Sequence, residues 1–414
     1  MKVFKFGGAS IRDATAIQKA AKIIEDQQQE KILIVVSAMG KTTNALERVL
    51  LDFQAGKDFQ TELHRIRSYH EEIMKKLFSF DHSVWKKVTV LFELVPINLE
   101  ALGTEDQRYD QVVSTGEMVS SIIVADFLLS KGFPIEWIDV RNYISTDDTY
   151  REAKVDWIKT QENVNRLKTV LRDKIILTQG FIGRAPDGRT TTLGREGSDY
   201  SAAILASCLD ASTVTIWKDV PGVMNADPKR LKDAKVFDEL PFREAAEMTY
   251  YGASVIHPKT IKPLANKNIP LWVKNFDDPS LPGTIIHEVK VNLLPPLIVF
   301  KDNQCLVSCQ VTDYTFINEE QLSFIFQALS ALDIKINLMQ NSAISFSFCI
   351  DFREGKVLKL IERLAKQFEV YYNTGLTLIT VKNYNSDSFE EYRNKEGVIL
   401  EQSSRSTLQV LIKN

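Results

Sequence analysis

Short apolar runs alternate with helical patterns along the first 290 residues. The runs are continuous and rich in β-branched residues, as expected for strands that are covered on both faces. They lie at 3–6, 31–36, 135–138, 174–177, 214–217 and 271–273. Helical spacing fills the intervals, first at 14–24 and most extensively at 57–103, where a charged helical insertion or lid is predicted. Strand–helix–strand order predicts an α/β domain over residues 1–290 with a largely parallel sheet.

Beyond residue 290 the pattern changes. Residues 289–304 contain Pro295-Pro296 and are predicted to form a linker. Strand and helix patterns then follow in the order β-α-β-β, with a weaker copy behind. We predict two tandem α+β units, 300–375 and a shortened 376–414. A single irregular α+β domain is the alternative.

Composition narrows the class of protein. The 414 residues are 25% charged and 44% apolar, which is ordinary for a globular protein. The net charge of −3 argues against a broad basic surface that would bind nucleic acid. The four cysteines are scattered, which argues against a zinc site or a disulfide framework. We find no leader pattern and expect no apolar run of membrane-spanning length. These features predict a cytoplasmic protein without nucleic-acid or membrane partners.

The run TTTLGREGSDYSAA at 190–203 concentrates candidate chemistry. It brings three hydroxyls, two glycines, Arg195 and Asp199 together just before a small apolar stretch that predicts a helix. Backbone amides and polar side chains would converge at that helix N-terminus, where the dipole favours anions. A polar loop that caps a helix would give the same pattern.

A lysine and two glycines end the first predicted strand. Lys5 precedes Gly7-Gly8, and glycines let backbone amides approach phosphate oxygens closely. A lysine there can neutralise charge on a transferring phosphoryl group. The stretch 40–43 resembles the end of a P-loop, but Val35 stands where the first glycine of that motif belongs, so a P-loop is excluded. An ordinary strand end is the alternative for Lys5 and its two glycines.

Two further stretches place polar groups beside predicted elements. Glu117 follows Ser114-Thr115-Gly116 and is predicted in the first turn of a helix over 119–129, where a carboxylate suits the dipole. Lys218 and Asp219 follow the predicted strand 214–217, where ligands bind in open α/β sheets. A capping residue and a tight turn are the respective alternatives.

Taken in order, these motifs resemble those of the aspartate kinases in the amino-acid kinase family. The matching stretches are KFGGAS at 5–10, VVSAMGKTTNAL at 35–46, STGE at 114–117, QGFIGRAPDGRTTTLGREGSDYSAA at 179–203, WKDVPGV at 217–223, ADPK at 226–229, YGASVIHPKTIKPL at 251–264 and PLWVKN at 270–275. The resemblance implies a three-layer αβα sandwich around a largely parallel sheet. The tail resembles paired ACT regulatory domains, which implies a homo-oligomer formed through these units and an amino-acid effector.

The resemblance also implies chemistry: ATP-dependent phosphorylation of the β-carboxylate of L-aspartate, with Mg²⁺ on the phosphates, as the first step toward lysine, threonine and methionine. Lys5 matches the lysine that stabilises the transferred group, and Asp199 the aspartate that organises it. The other implied contacts are Thr43, Glu117, Arg195 and Ser198 for aspartate, and Lys5, Gly7, Gly8, Ser10, Lys218, Asp219, Met224 and Lys229 for ATP, with no metal-ligating side chain.

Three departures from the family pattern modify this expectation. Ser254 stands where relatives often have lysine, a charge that Lys259 could supply instead, and Met224 replaces a common tyrosine. Asn341-Ser342-Ala343 stands where a Ser-Glu pair is frequent, which predicts weak or absent inhibition by lysine and threonine. The alternatives are another carboxylate or phosphate kinase of this fold, and a catalytically inactive amino-acid sensor, against which the intact Lys5 and Asp199 argue.

Overall fold

The computed structural model describes residues 1–27, 30–101, 103–253, 256–291, 294–312 and 315–413. These residues form two compact units. The first comprises Met1–Val223, Val236–Thr249 and Ser254–Lys290, and the second Met224–Lys235, Tyr250–Ala253 and Val291–Asn414. Two short stretches before residue 290 therefore belong to the second unit, although the domain bounds drawn from the sequence place them in the first.

The first unit is built on an eight-stranded sheet with the order β3-β4-β2-β1-β7-β9-β10-β8, and a separate ribbon pairs β5 with β6. Its strands are β1 (Lys2–Phe6), β2 (Ile32–Val36), β3 (Ile135–Trp137), β4 (Ile175–Gln179), β5 (Ile182–Arg184), β6 (Thr190–Thr192), β7 (Thr213–Lys218), β8 (Glu239–Pro241), β9 (Leu271–Asn275) and β10 (Thr284–His287). All pairs in the large sheet are parallel except that of β9 with β10. The six strands predicted from apolar runs are confirmed, as is the largely parallel sheet.

Helices cover both faces of this sheet. They are α1 (Ala14–Glu25), α2 (Thr42–Gln54), α3 (Gln60–Leu77), α4 (Val84–Glu100), α5 (Glu105–Ser130), α6 (Trp157–Asn165), α7 (Leu167–Val170), α8 (Gly197–Leu209), α9 (Phe242–Tyr250) and α10 (Pro258–Ala265). Phe4 and Phe6 point from β1 into a core with apolar side chains of α1 to α5. Successive side chains of a strand point to opposite faces, so Lys5 points the other way, toward α8, which packs on β1, β2 and β7. The three-layer prediction is thus confirmed.

Helix α5 passes through the middle of the first unit. It is long and apolar enough to meet a length and composition test for a membrane span, contrary to our expectation that no apolar run reaches that length. However, 89% of its most apolar window is buried within the fold. The apolar character of α5 is therefore that of a core helix, packed against α2, α4 and the sheet.

The second unit carries a six-stranded antiparallel sheet with the order β12-β13-β11-β14-β16-β15. Its elements are β11 (Leu297–Gln310), α11 (Glu319–Ala331), β12 (Ile336–Asn341), β13 (Ser345–Asp351), α12 (Glu354–Leu364), β14 (Glu369–Lys382), α13 (Ser386–Arg393), β15 (Val398–Ser403) and β16 (Thr407–Lys413). The predicted order of elements is present. The linker prediction is wrong after residue 296, because Leu297 already pairs with Lys382.

Two strands of 14 residues, β11 and β14, lie side by side at the centre of this sheet and extend through both of its halves. A register shift between Lys301 and Gln304 divides β11 into two segments. The later segment belongs to a core with α11 and α12, and the earlier one packs beside α13. The two halves of the tail therefore have separate cores beneath their helices, but they share one continuous sheet and a further buried cluster that joins Leu338 and Cys349 to Leu378 and Leu411.

Candidate active site

The carboxyl ends of three adjacent strands form the floor of the candidate site. The strands β2, β1 and β7 are parallel neighbours, so the loops that follow Val36, Phe6 and Lys218 emerge at one edge of the sheet. Gly8 allows the first two loops to touch: a Cβ at this position would lie 2.6 Å from the carbonyl oxygen of Ala38. The Gly40 amide also donates to the Gly8 carbonyl at 3.0 Å. Any side chain at residue 8 would separate these loops.

A buried charge cluster lies above this floor. Lys5 Nζ is 2.6 Å from Oδ1 of Asp199, and Lys218 Nζ is 3.4 Å from Oδ2 of the same carboxylate. Burial alone would raise the pKa of Asp199, but the charges of Lys5 and Lys218 outweigh it and hold that pKa below its ordinary value. Two cations therefore share one ionised carboxylate, which leaves one net positive charge for an anionic ligand.

Helix α8 contributes its positive end to this cluster. Asp199 lies in its first turn, and Ser198 beside it is buried. The preceding turn contains Gly194 and Glu196, both in the left-handed region with φ of 79° and 53°. Glu196 is fixed there because its Oε2 accepts the His257 amide at 2.9 Å. The predicted helix N-terminus is confirmed, and it begins at Gly197.

Arg195 lies in this same turn. Its side chain is exposed and forms no hydrogen bond or ion pair within the described part of the chain. The three hydroxyls before it have a different place from the one predicted. Thr190, Thr191 and Thr192 form β6 and are buried, where Thr191 bonds Thr146 and Thr192 bonds Asp110. They support the turn and do not line the helix N-terminus.

Glu117 is buried in the middle of α5. The prediction that it lies in the first turn of a helix is wrong, because the helix begins twelve residues earlier, at Glu105. Gly116 does not interrupt the helix: it allows α5 to pack on α2, since a Cβ there would lie 3.0 Å from Thr42 Cγ2 and 3.1 Å from Ala38 Cβ. This close packing places Glu117 against the loop after β2, where it accepts the Ala38 amide.

The environment of Glu117 favours its neutral form. Burial raises its pKa to about 8, although the Ala38 amide and the charge of Lys5 both act in the opposite direction. Its Oε2 has no hydrogen-bond partner among the described residues. A buried carboxylate oxygen without a partner is costly, so the site is incomplete without a cationic or hydrogen-bonding ligand at this atom.

The other predicted contacts fall into two groups. Within the first unit, Thr43 is half-buried in the first turn of α2, Gly7 lies beside Lys5, and Asp219 is exposed after β7. The Ser10 hydroxyl donates to the Trp217 carbonyl at 3.0 Å and so joins the β1 loop to β7. Met224 and Lys229 belong to the second unit. Ser254 lies outside the described residues.

Comparison with known proteins identifies the family. The amino acid kinase family matches residues 1–275. Lysine-sensitive aspartokinase 3 of Escherichia coli (strain K12) is 34% identical over 355 residues, which cover 84% of this chain and 78% of that protein. The bifunctional aspartokinase/homoserine dehydrogenase of Buchnera aphidicola subsp. Acyrthosiphon pisum is 29% identical over 400 residues, which cover 91% of this chain but only 47% of that protein.

A solved structure gives the same result. The crystal structure of E. coli aspartokinase III in complex with aspartate and ADP, in its R-state, has a TM-score of 0.86 to this chain at 31% identity. The match covers 100% of this chain and 96% of that one. The chain belongs to the amino acid kinase family and, within it, to the aspartokinases.

Proposed function

We propose that this chain transfers the γ-phosphoryl group of ATP to the β-carboxylate of L-aspartate, giving 4-phospho-L-aspartate and ADP. The observation that carries the proposal is the cluster of Lys5, Asp199 and Lys218 at the carboxyl ends of β1 and β7. Phosphoryl transfer depends mainly on positioning and on stabilising charge at the transferred group. Membership of the aspartokinases, one of which has been solved with aspartate and ADP, supports aspartate as the acceptor.

In this proposal Lys5 stabilises charge on the transferred phosphoryl group, and Asp199 holds its ammonium in place. The pair is buried, and a preorganised charge in such a site needs little reorganisation during the reaction. Lys218 and the amides of Gly7 and Gly8 face the phosphates of ATP. In-line transfer then requires only that the acceptor carboxylate lie on the far side of the γ-phosphate.

The amino-acid pocket uses the remaining residues of the first unit. The Arg195 guanidinium forms a charge-assisted pair with the α-carboxylate of aspartate, and Glu117 accepts its α-ammonium through the oxygen that has no protein partner. Thr43 and Ser198 bond the same substrate. With both α-groups held, the β-carboxylate is the group left to meet the γ-phosphate.

The proposed nucleotide contacts also include Ser10 and Asp219. Mg²⁺ supplies further neutralisation of the β- and γ-phosphates when it is bound. Both oxygens of Asp199 are engaged by lysines, and the described residues contain no group of three or more metal-ligating side chains. The phosphates of ATP are therefore proposed as the principal ligands of the ion.

The decisive experiment compares acceptors. ATP consumption is measured with aspartate, glutamate and UMP in turn, and hydroxylamine traps any acyl phosphate as a hydroxamate. We expect turnover and hydroxamate with aspartate only. Activity with glutamate or UMP alone would favour another kinase of the same fold. Binding of an amino acid without turnover of any acceptor would favour the inactive sensor.

Aspartate binding is expected to depend on pH through Glu117. In the empty site its pKa is about 8, so the carboxyl is mostly protonated at pH 7, and the incoming ammonium requires the ionised form. Binding therefore releases a proton, and the KM for aspartate should rise about tenfold for each pH unit below 8. Glu117→Gln should weaken binding and remove this slope. A KM that is constant from pH 6 to 8 would contradict the assignment.

We also propose a cytoplasmic homo-oligomer formed through the second unit, with weak feedback by lysine and threonine. Asn341 ends β12, and a hydrogen bond between Ser342 and Ser345 closes the exposed turn behind it. None of the turn residues has a carboxylate that could bind an effector ammonium. Regulation requires an effector that binds two states differently. Titration of lysine and threonine, separately and together, should leave most activity intact, and sub-millimolar inhibition would contradict this. Sedimentation of the intact chain tests the oligomer.

A further inference from the structure

Asp110 is a buried carboxylate without a place in the reaction. It lies on α5 with no exposed surface. Its Oδ1 accepts the Thr192 hydroxyl at 2.7 Å, and its Oδ2 accepts the amides of Thr192 at 2.9 Å and Arg151 at 3.0 Å. One side chain of α5 thus holds two other segments of the chain, each through its backbone.

These two segments lead directly to the turn that carries Arg195. Thr192 ends β6, and Arg195 follows three residues later. Arg151 has a φ of 65°, a conformation that a residue with a side chain adopts only when its surroundings enforce it. The next residue, Glu152, forms an antiparallel bridge with Leu193, and its side chain lies against Gly194. The segment around residue 151 therefore packs against the turn and supports it. Asp110 holds both this segment and the end of β6 through hydrogen bonds.

Asp110 and Glu117 lie on the same helix, seven residues apart. Seven residues are close to two turns, so both side chains leave α5 from the same face. At Glu117 the helix carries the carboxyl proposed to bind the substrate ammonium. At Asp110 it carries the carboxylate that anchors the turn before α8. That turn carries Arg195, which is proposed to bind the substrate α-carboxylate.

We infer that Asp110 is a positioning residue that sets the separation between Arg195 and Glu117, and through it the affinity of the pocket for the α-carboxylate and α-ammonium of its amino-acid substrate. The inference rests on the proposed roles of Arg195 and Glu117. Asp110 acts through the turn and does not touch substrate. A purely structural carboxylate would affect stability and leave substrate affinities in their ordinary ratio.

The test is Asp110→Asn, which keeps the shape of the side chain but places an amide donor against groups that are themselves donors. We expect the KM for aspartate to rise about tenfold or more, with the KM for ATP and kcat at saturation nearly unchanged. Thr192→Val, which removes one donor only, should give a smaller shift in the same direction. It also keeps the inference testable if Asp110→Asn does not fold.

Asp126→Asn is the matched control. Asp126 is also a buried carboxylate of α5, but it pairs with Lys87 at 2.9 Å and bonds nothing near the turn. Its replacement should lower the melting temperature without changing the ratio of the two KM values. Equal changes in that ratio for Asp110→Asn and Asp126→Asn would overturn the inference.

A double-mutant cycle separates this inference from the proposed function. If Asp110 acts through Arg195, Asp110→Asn should raise the KM for aspartate much less in the Arg195→Ala background than in the unmodified chain. The positioning role would be overturned if the two substitutions raised the KM for aspartate by fully additive amounts. It would also be overturned if Asp110→Asn left this KM unchanged while Arg195→Ala raised it. Either result would leave the assigned pocket intact. No effect of Arg195→Ala would overturn both.

Discussion

Lys5→Met is expected to lower kcat by about 10²–10³-fold while the chain still folds. Methionine is an unbranched side chain only one atom shorter than lysine, and it removes the charge that faces the transferred phosphoryl group. Asp199 would keep Lys218 as a partner, so the carboxylate is not left alone, although its pKa should rise with one cation gone. Steady-state kinetics with saturating ATP and aspartate, together with a thermal melt, measures the change.

Lys2→Met is the control for this change. Lys2 lies on the same strand, bonds Gln27 at 2.9 Å, and pairs with Glu30 at the edge of the fold. Its loss should leave kcat within about twofold, because a partly exposed pair contributes little. If Lys5→Met retained nearly normal turnover, or if Lys2→Met lost as much, the catalytic role of Lys5 would be wrong.

Arg195→Ala is expected to raise the KM for aspartate by about 10- to 100-fold and to change the KM for ATP little. The estimate is the roughly 1.5–3 kcal/mol of a hydrogen bond to a charged group. Within the described part of the chain the exposed arginine forms no hydrogen bond or ion pair that its removal would break, so the fold should be unaffected. Initial rates over a grid of aspartate and ATP concentrations separate the two constants.

Arg189→Ala provides the comparison. Arg189 precedes β6, is likewise exposed, and pairs loosely with Asp187 at 3.7 Å. The substitution removes the same charge six residues earlier in the chain without touching the proposed pocket, so both KM values should stay constant. An equal loss of affinity for aspartate and ATP in Arg195→Ala would place Arg195 outside the amino-acid pocket.

Much of the fold was predictable because its strands are buried on both faces. Runs such as Ile32–Val36 are short and continuously apolar, which is the pattern of a strand covered on both faces, and their β-branched residues favour strands. The tail was harder to divide. The chain at 297–301 looked like part of a linker, and its partner lies about 80 residues later in β14, a separation that local pattern does not reveal.

The site was predictable in its residues and less so in their surroundings. Ser114-Thr115-Gly116 is predicted to precede a helix over 119–129, whereas Gly116 lies within α5, where close packing against α2 leaves little room for a Cβ. The threonines of β6 looked like ligand-binding hydroxyls, but the Thr192 hydroxyl donates to Asp110, a buried aspartate 82 residues earlier in the chain. Such tertiary partners leave no periodic signal in the chain.

The shared strands of the second unit have a consequence for how this protein is made. Residues 297–301 pair with 378–382, and 304–310 pair with 369–376, so the sheet of both halves depends on one late strand. During synthesis the hydrogen-bond ladder of the first half cannot be completed until residue 376 has left the ribosome, and that of the second half cannot be completed until β16 has followed. The tail should therefore fold in a single late, cooperative step, and equilibrium unfolding should show one transition for both of its halves.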